Sequence, residues 1–388
     1  MVTSRAAGRL DGIGSTIFAE MSAIAVRTGA LNLGQGFPDQ DGPATVVEAA
    51  VSAMRAGRNQ YPPGHGIPEL VAAVIAHQRR NYGIELDATE VVITTGATEA
   101  IAGALLGLVD PGDEVVVLEP YYDSYVAMIQ IAGGVRRPVT LRAPDFRLDL
   151  AAMRAAITER TKLILLNTPH NPTGTVLTRA ELEGVARLAI EHDLVVVTDE
   201  VYEHLVFDDS EHIPLATLAG MAERTLTISS SGKTFSFTGW KIGWATGPAD
   251  LVAAVEGTKN WLSYASGAPL QPAIAHALDH EHEFPGRLRA ELQTKRDLLC
   301  EGLSELDMDV RVPQGTYFVT SDVRRYGWAD GREFCLALPE RAGVVAIPGQ
   351  VFYDNQDEGR HLVRWAFCKT EDVIREGIDR LTKADLGR

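Results

Sequence analysis

Two lysines, Lys233 and Lys241, lie eight residues apart in the stretch SSSGKTFSFTGWKIG, which contains no acidic residue. Serine hydroxyls, backbone N–H groups and a lysine ammonium are groups that bind phosphate in proteins. A neighbouring cation and partial burial would lower the pKa of Lys233, as an amine that attacks a carbonyl requires. The stretch therefore predicts either a phosphate site with a reactive amine or a solvated loop. It is not a P-loop, because Thr227 stands where that motif has a glycine.

Two more polar segments follow apolar runs. In VVVTDEVYEHL, Asp199 comes directly after the run and Tyr202 follows three residues later. An aspartate at this place either caps the next helix or keeps a pyridine nitrogen protonated, so that the ring accepts electrons. In NTPHNPTG, Asn167 and Asn171 lie in a predicted turn. Their amides are suited to bind a ring oxygen and a substrate carboxylate.

Three further segments suit the same chemistry. The small residues 96–98 in TTGATEA begin an apolar helix, either as an ordinary capped start or as a phosphate-binding N-terminus. The aromatics of EPYYDSY either pack in the core or stack on a planar ring. Arg364 lies in the apolar run HLVRWAFC, and a buried charge requires a partner. That partner is either an acidic residue of the protein or a substrate carboxylate, and we favour the substrate. Together these groups meet the requirements of pyridoxal 5′-phosphate.

The elements that carry these residues alternate between helices and short apolar strands from about residue 44 to 285. Continuous Val/Ile/Leu runs precede polar residues in EVVITTG, DEVVVLEPYY, KLILLNTPHNP, LVVVTDEVYEHL and RTLTISSSGKTF. Such runs are typical of strands buried on both faces, as in a mostly parallel sheet covered by helices. Since ligands bind beyond the carboxyl ends of such strands, we expect the polar residues to meet there.

From about residue 286 the pattern changes to a long charged helix, strands in MDVRVPQGTYFVTSDV, GVVAIPGQVFY and HLVRWAFC, and a closing helix. The predicted fold class is therefore α/β: a large domain, residues 44–285, plus a smaller α+β domain, residues 286–388. Residues 1–43 hold too little apolar periodicity to form a domain and are expected to pack on the small domain.

Composition excludes some function classes. The chain has 388 residues, 45% of them hydrophobic, and a formal charge of −16, which disfavours nucleic acid as a partner. Cys300, Cys335 and Cys368 show no spacing typical of zinc or of a disulfide framework, so no metal site is predicted and a reducing compartment is favoured. No run approaches membrane-spanning length, and the N-terminus has no continuous apolar core. The expected location is the cytoplasm, without a membrane partner.

The order and spacing of these motifs resemble those of fold-type I aminotransferases of class I and II over essentially the whole chain. The segments that carry the resemblance are NLGQGFPD, NQYPPGHGIPEL, GATEA, EPYYDSY, NTPHNPTG, TDEVYEHLVF, SSSGKTFSFTGWKIGW and VRWAFCK. The resemblance implies pyridoxal-phosphate-dependent transamination with ping-pong kinetics, in which Lys233 forms the internal aldimine and acts as general acid–base. It also implies a homodimer in which Tyr61 reaches the phosphate bound by the neighbouring subunit.

By the same resemblance, Lys233, Asp199 and Tyr202 are expected to be catalytic. The residues expected to bind the cofactor are Tyr61, Gly96, Ala97, Thr98, Tyr122, Asn171, Asp199, Tyr202, Ser230, Lys233 and Lys241. Those expected to bind substrate are Gly36, Asn167, Asn171 and Arg364. Gly36 is expected to let bare backbone approach the substrate closely.

Within this superfamily the chain is most similar to the kynurenine/glutamine-type branch, and above all to actinobacterial N-succinyldiaminopimelate aminotransferases of lysine biosynthesis. Ser266 and Gly267 stand where kynurenine-type relatives tend to carry an aromatic residue and a histidine, which suggests room for a long acylated donor. The expected donor is N-succinyl-LL-2,6-diaminopimelate, with 2-oxoglutarate as acceptor. The alternatives are a kynurenine-, glutamine- or methionine-type aminotransferase, a cysteine-conjugate β-lyase, a non-catalytic regulator on the same fold and a nucleotide-phosphate binder.

Overall fold

The computed structural model describes residues 6–14 and 16–387. The first five residues lie outside the described residues. They belong to the N-terminal stretch in which the sequence showed no continuous apolar core. In the part that is described, no helix has both the length and the apolar character needed to cross a bilayer.

The α-helices, in chain order, are α1 (Ile17–Thr28), α2 (Ala44–Arg55), α3 (Pro68–Tyr82), α4 (Gly96–Leu108), α5 (Asp123–Ala132), α6 (Leu150–Ala156), α7 (Arg179–Glu191), α8 (Ser231–Thr234), α9 (Ala249–Leu262), α10 (Leu270–His280), α11 (Phe284–Glu305), α12 (Gly331–Arg341) and α13 (Glu371–Lys383). The strands are β1 (Leu31–Asn32), β2 (Val91–Thr94), β3 (Glu114–Glu119), β4 (Val135–Thr140), β5 (Thr161–Asn167), β6 (Val195–Asp199), β7 (Thr225–Ser230), β8 (Gly243–Thr246), β9 (Asp309–Arg311), β10 (Phe318–Asp322), β11 (Val344–Val345), β12 (Ile347–Pro348) and β13 (Leu362–Ala366).

A seven-stranded sheet with the order β2-β8-β7-β6-β5-β3-β4 forms the centre of the larger part. Its neighbours pair in parallel except for β8, which is antiparallel to both β2 and β7. β2 and β3 are buried at every residue, because helices cover both faces of the sheet. The predicted α/β class with a mostly parallel sheet is confirmed.

Helix α4 packs against this sheet and against α9, and its sequence explains how closely it does so. Two of its glycines, Gly103 and Gly107, face α9. A Cβ at Gly107 would lie 2.6 Å from the carbonyl oxygen of Ala254, closer than non-bonded atoms approach. The two helices therefore meet at backbone distance, which fixes where the N-terminus of α4 lies.

A four-stranded antiparallel sheet with the order β12-β13-β10-β9 forms the second part. β1 pairs in parallel with β11, which attaches residues 31–32 to this C-terminal region. Helix α1 was not predicted, and α11 begins at Phe284, so it crosses the expected boundary between residues 285 and 286. The three domain limits stay predictions.

The carboxyl ends of β5, β6 and β7 lie side by side. In the sheet register Asn167 is opposite Asp199, and Asp199 is opposite Ile228, two residues before β7 ends. Helix α8 begins directly after β7 and carries Lys233. The register therefore brings three of the predicted segments to one edge of the sheet.

Candidate active site

A cavity of about 1150 Å³ opens between this edge and the four-stranded sheet. Every predicted site residue except Tyr61 lines it: Gly36, Gly96, Ala97, Thr98, Tyr122, Asn167, Asn171, Asp199, Tyr202, Ser230, Lys233, Lys241 and Arg364. Tyr61 lies elsewhere on the surface. It is 84% exposed, and its ring packs edge-on against Tyr264 with 5.8 Å between ring centroids.

Lys233 points into the cavity from the single turn of α8. Its Nζ donates a hydrogen bond to the Tyr317 hydroxyl, and a longer one of 3.4 Å to the carbonyl oxygen of Gly36. Burial is the main cause that lowers the pKa of Lys233 to about 8, and the nearby cations act in the same direction. A substantial fraction of the amine is therefore neutral near physiological pH, and only the neutral form attacks a carbonyl.

Asp199 ends β6 and is buried beside Lys233. Its Oδ2 accepts a hydrogen bond of 2.6 Å from the Tyr125 hydroxyl, and its Oδ1 accepts one of 3.3 Å from the Val201 N–H. Burial raises the pKa of Asp199 to about 6, while the bond from Tyr125 opposes this rise. A cationic ring nitrogen bound next to the carboxylate would lower this pKa and keep the carboxylate ionised.

The start of α4 and the end of β7 form a cationic cradle. Gly96 has a φ of +70°, which turns the chain from β2 into the helix. Lys241 Nζ lies 3.5 Å from Thr98 Oγ1, and Ser230 lines the same part of the cavity. A Cβ at Gly243 would lie 2.6 Å from the carbonyl carbon of Gly96, so β8 contacts the helix start directly. Helix N–H groups beside an ammonium are suited to bind phosphate.

Two tyrosines of the predicted set provide aromatic surface. Tyr122 comes directly before α5 and packs edge-on against Tyr125 at 5.7 Å. Burial raises the pKa of Tyr122 to about 12, although a hydrogen bond with Thr98 lowers it slightly. Tyr202 packs edge-on against Tyr317 at 5.2 Å, and burial raises its pKa too. Both phenols are therefore protonated and able to donate hydrogen bonds.

Asn167 and Asn171 connect Asp199 to Arg364. Asn167 Nδ2 donates to the Asp199 carbonyl oxygen at 2.8 Å, and its Oδ1 accepts from the Asn171 N–H at 2.7 Å. Asn171 Oδ1 in turn accepts from Arg364 at 2.9 Å. The Asn167 side chain therefore holds the turn after β5 and retains one amide N–H for a ligand.

Arg364 is 2% exposed and lies in the middle of β13. It donates to Asn171 Oδ1 and to the Gly34 carbonyl oxygen, both at 2.9 Å, while its Nε has no partner among the described residues. Its Cζ lies 3.9 Å from the ring centroid of Phe318, and the rings of Phe18 and Phe352 lie at 4.9 and 5.2 Å. Burial lowers the pKa of Arg364 to about 10, so it stays charged at neutral pH.

Two glycines that the sequence singles out also have local packing roles. A Cβ at Gly36 would lie 2.5 Å from Phe318 Cζ, so packing also requires the glycine, and its approach to the substrate stays a prediction. Gly267 has a φ of +68°, and a Cβ there would lie 2.2 Å from Ile242 Cδ1. Ser266 Oγ lies 2.8 Å from Thr95 Oγ1, and neither Ser266 nor Gly267 lines the large cavity of its own chain. Local packing therefore explains the glycine at position 267, and the room for a long acylated donor stays a prediction.

Sequence reasoning missed several residues that contact the predicted site residues. Tyr317 bonds both Lys233 and the Gly36 carbonyl oxygen, Tyr125 bonds Asp199, and phenylalanines from three separate segments surround Arg364. The aromatic run EPYYDSY contained the signal for Tyr125. Tyr317 follows Thr316, whose φ of +67° is not visible in the sequence.

The residues present fit pyridoxal 5′-phosphate. The cradle at the start of α4 matches its phosphate, the buried carboxylate of Asp199 matches its ring nitrogen, and the amine of Lys233 matches its aldehyde. The unpartnered Nε of Arg364 fits a carboxylate brought by a substrate.

Comparison with known proteins agrees with this fit. The family model described as "Aminotransferase class I and II" matches residues 28–381. A Mycobacterium tuberculosis protein named "Probable N-succinyldiaminopimelate aminotransferase" is 52% identical over 96% of this chain and 97% of its own. The structure of N-succinyldiaminopimelate aminotransferase from that organism superimposes with a TM-score of 0.95, covering 97% of this chain and 99% of the other. The methionine aminotransferase of Escherichia coli is 37% identical over 96% of this chain and 97% of its own.

Proposed function

Since this chain belongs to the class I and II aminotransferase family, we propose that its donor is N-succinyl-LL-2,6-diaminopimelate and its acceptor is 2-oxoglutarate. The enzyme is a pyridoxal 5′-phosphate-dependent aminotransferase that acts on amino acids and 2-oxo acids. The choice of donor is supported by the 52% identity to the Mycobacterium tuberculosis protein, against 37% and 35% for a methionine and a kynurenine aminotransferase.

The environment of Arg364 is the main support for a substrate with a carboxylate. Arg364 is a buried cation without a salt bridge to any described carboxylate, and it lies in the same cavity as the amine of Lys233. Burying a charge without a partner is costly, so the site is suited to a ligand that brings a carboxylate. An α-amino acid held there would place its amino group towards Lys233.

In the proposed mechanism the cofactor supplies an electron sink, and the protein supplies binding and proton transfer. Arg364 holds the α-carboxylate, with Asn171 orienting the guanidinium. Lys233 removes the proton from the substrate Cα, because its depressed pKa makes the neutral amine available. The Tyr317 hydroxyl holds the Lys233 amine by a hydrogen bond, next to the carbonyl oxygen of Gly36. Donor and acceptor would use the same groups in turn, which predicts ping-pong kinetics.

The homodimer and the cytoplasmic location are also part of the proposal. Tyr61 is 84% exposed and packs against Tyr264, which is itself exposed. Trp261 and Leu262, close to Tyr264 in the chain, are exposed apolar side chains as well. Such a patch is typical of a protein interface. The three cysteines are free and buried, as expected in a reducing compartment. Analytical ultracentrifugation tests the dimer, and a monomeric active enzyme would contradict it.

Two experiments test the proposed function. Specificity constants are compared for N-succinyl-LL-2,6-diaminopimelate, methionine, kynurenine and glutamine, with 2-oxoglutarate as acceptor. The acylated donor is expected to be preferred, and a preference for kynurenine or methionine would reassign the substrate. Borohydride is expected to bleach the holoenzyme and to attach the cofactor covalently to Lys233. Lys233→Ala is expected to lack this linkage, while Lys162→Ala, which alters an exposed lysine of β5, is expected to keep it.

A further inference from the structure

A second cavity, of about 430 Å³, contains side chains that the proposed reaction does not use. Its lining includes two histidines and a glutamate that lie close together: His77 on α3, and Glu203 with His204 in the turns that follow β6. The Nε2 atoms of His77 and His204 lie 3.2 Å apart, and His77 Nε2 lies 3.8 Å from Glu203 Oε2. All three ligand atoms lie within 4.8 Å of one another.

We propose that His77, Glu203 and His204 bind a divalent transition-metal ion such as Zn²⁺. A tetrahedral zinc ion bound at its usual bond lengths separates two imidazole nitrogens by about 3.3 Å, which matches the observed spacing. Without an ion, one of the two facing nitrogens has to donate a proton to the other. An ion at this point replaces that proton and binds both lone pairs.

The glutamate is fixed in place for this role. Glu203 is 4% exposed, and its Oε1 accepts a hydrogen bond of 2.5 Å from Ser229. Its Oε2 accepts one of 2.6 Å from Tyr82. Buried carboxylates are held by such bonds or by cations, and hydrogen-bonded outer partners orient metal ligands. Two histidines and one glutamate are an established ligand set for zinc with an open fourth position.

The cavity leaves space for a water as fourth ligand. His212 lines the same cavity, and its Nε2 lies 2.8 Å from Glu200 Oε2. Its Nδ1 is buried and has no hydrogen-bond partner among the residues described. Water in this cavity would give this nitrogen a partner, since an unpaired buried polar atom is costly.

One contact has to change when the ion binds. Asn81 Nδ2 donates to both Nδ1 and the carbonyl oxygen of His77, at 3.1 and 2.9 Å. A ligating Nε2 places the ring proton on Nδ1, which then requires an acceptor. The Asn81 amide therefore has to turn its oxygen towards Nδ1. Aspartate at this position presents an acceptor in either orientation, so Asn81→Asp is expected to strengthen binding.

The site adjoins the proposed active site through the chain. Glu203 and His204 directly follow Tyr202, and Ser229 directly precedes Ser230. An ion would thus connect α3 to the ends of β6 and β7. It would stabilise the segments that carry Asp199 and Lys233 without contacting the large cavity, so we expect it to act through the stability of these segments and not in the transamination itself.

The test uses the cofactor-loaded enzyme, freed of unbound cofactor, with Zn²⁺ measured by calorimetry and Co²⁺ by visible absorption. A single ion per chain, a tetrahedral Co²⁺ spectrum and a raised melting temperature are expected. His77→Gln and His204→Gln are expected to weaken binding by a factor of about 100 or more, and Asn81→Asp to strengthen it by about 10. The control is His276→Gln with His280→Gln, a pair on α10 whose ring centroids lie 4.6 Å apart at a tilt of 48°.

Loss of binding in this control, with retention in His204→Gln, would overturn the proposal in favour of an adventitious ion at the α10 histidines. If a variant fails to fold, crystals of the unaltered holoenzyme grown with Zn²⁺ decide the matter. An anomalous peak is expected about 2.1 Å from both Nε2 atoms of His77 and His204. A map without that peak would also overturn the proposal.

Discussion

Replacing Arg364 with glutamine is expected to impair catalysis selectively for substrates that carry an α-carboxylate. The guanidinium is 2% exposed, lies 3.9 Å from the Phe318 ring and forms no salt bridge to a described residue. Truncating one partner of a buried, hydrogen-bonded charge pair costs about 2 to 5 kcal/mol. At 1.36 kcal/mol per factor of ten, kcat/KM for an α-amino acid is expected to fall about 30- to 5000-fold.

The assay is the first half-reaction, followed by cofactor absorbance, with the amino acid donor and with the amine that lacks its carboxylate. The loss is expected mainly in KM, because the carboxylate is held in the ground state and in the transition state alike. Arg364→Lys keeps the charge but loses the planar fork, so it is expected to recover only part of the activity. Arg142→Gln removes an exposed arginine paired with Glu358 outside the cavity, and serves as control.

Equal losses for the amino acid and for the carboxylate-free amine would refute this reasoning. They would show that Arg364 acts on the fold or on the cofactor rather than on the carboxylate. Unchanged kcat/KM in Arg364→Gln would refute it as well.

Lys233 has a lower pKa in the folded protein than its ordinary 10.5, so the unfolded chain binds more protons between about pH 8 and 10.5. The stability of the cofactor-free enzyme relative to Lys233→Met is therefore expected to rise from pH 8 to pH 10 in urea unfolding; a constant difference contradicts this. Tyr317→Phe is expected to lower kcat about 10- to 100-fold, since a hydrogen bond to a charged group contributes about 1.5 to 3 kcal/mol. Tyr353→Phe, which removes a buried hydroxyl without a described partner, is the control, and equal losses count against the role of Tyr317. Gly243→Ala places a Cβ 2.6 Å from the start of α4 and is expected to lower the unfolding free energy by about 1 to 3 kcal/mol and to weaken cofactor binding. Gly239→Ala, where a Cβ meets nothing within 4 Å, is expected to change neither, and matching effects of the two variants would disprove the steric argument.

The sequence predicts the fold well wherever burial controls composition. β2, β3, β5, β6 and β7 are apolar runs because helices cover both of their faces. β4 was missed because it is an edge strand with mostly exposed or half-exposed residues, two arginines and a proline. β8 was missed because it has only four residues and follows directly on the motif that contains Lys241.

The site residues also divide into those that the sequence identifies and those that it does not. Lys233, Asp199 and Asn171 were identifiable because each lies within a few residues after an apolar run that ends at one edge of the sheet. Tyr317 was not identifiable, because it comes from the other sheet, and only the packing of the two sheets brings it to Lys233. Gly267 has a local role that the sequence does not reveal: its positive φ and its contact with Ile242 explain the glycine.

The distribution of the proposed site groups along the chain has a consequence for biosynthesis. Within one chain, the groups proposed to hold the cofactor lie between Gly96 and Lys241, whereas Arg364 lies close to the C-terminus. The ribosome makes the chain from its N-terminus, and domains generally fold as they emerge. A nascent chain would therefore complete its set of cofactor-binding residues well before the ribosome adds the arginine that binds the amino acid.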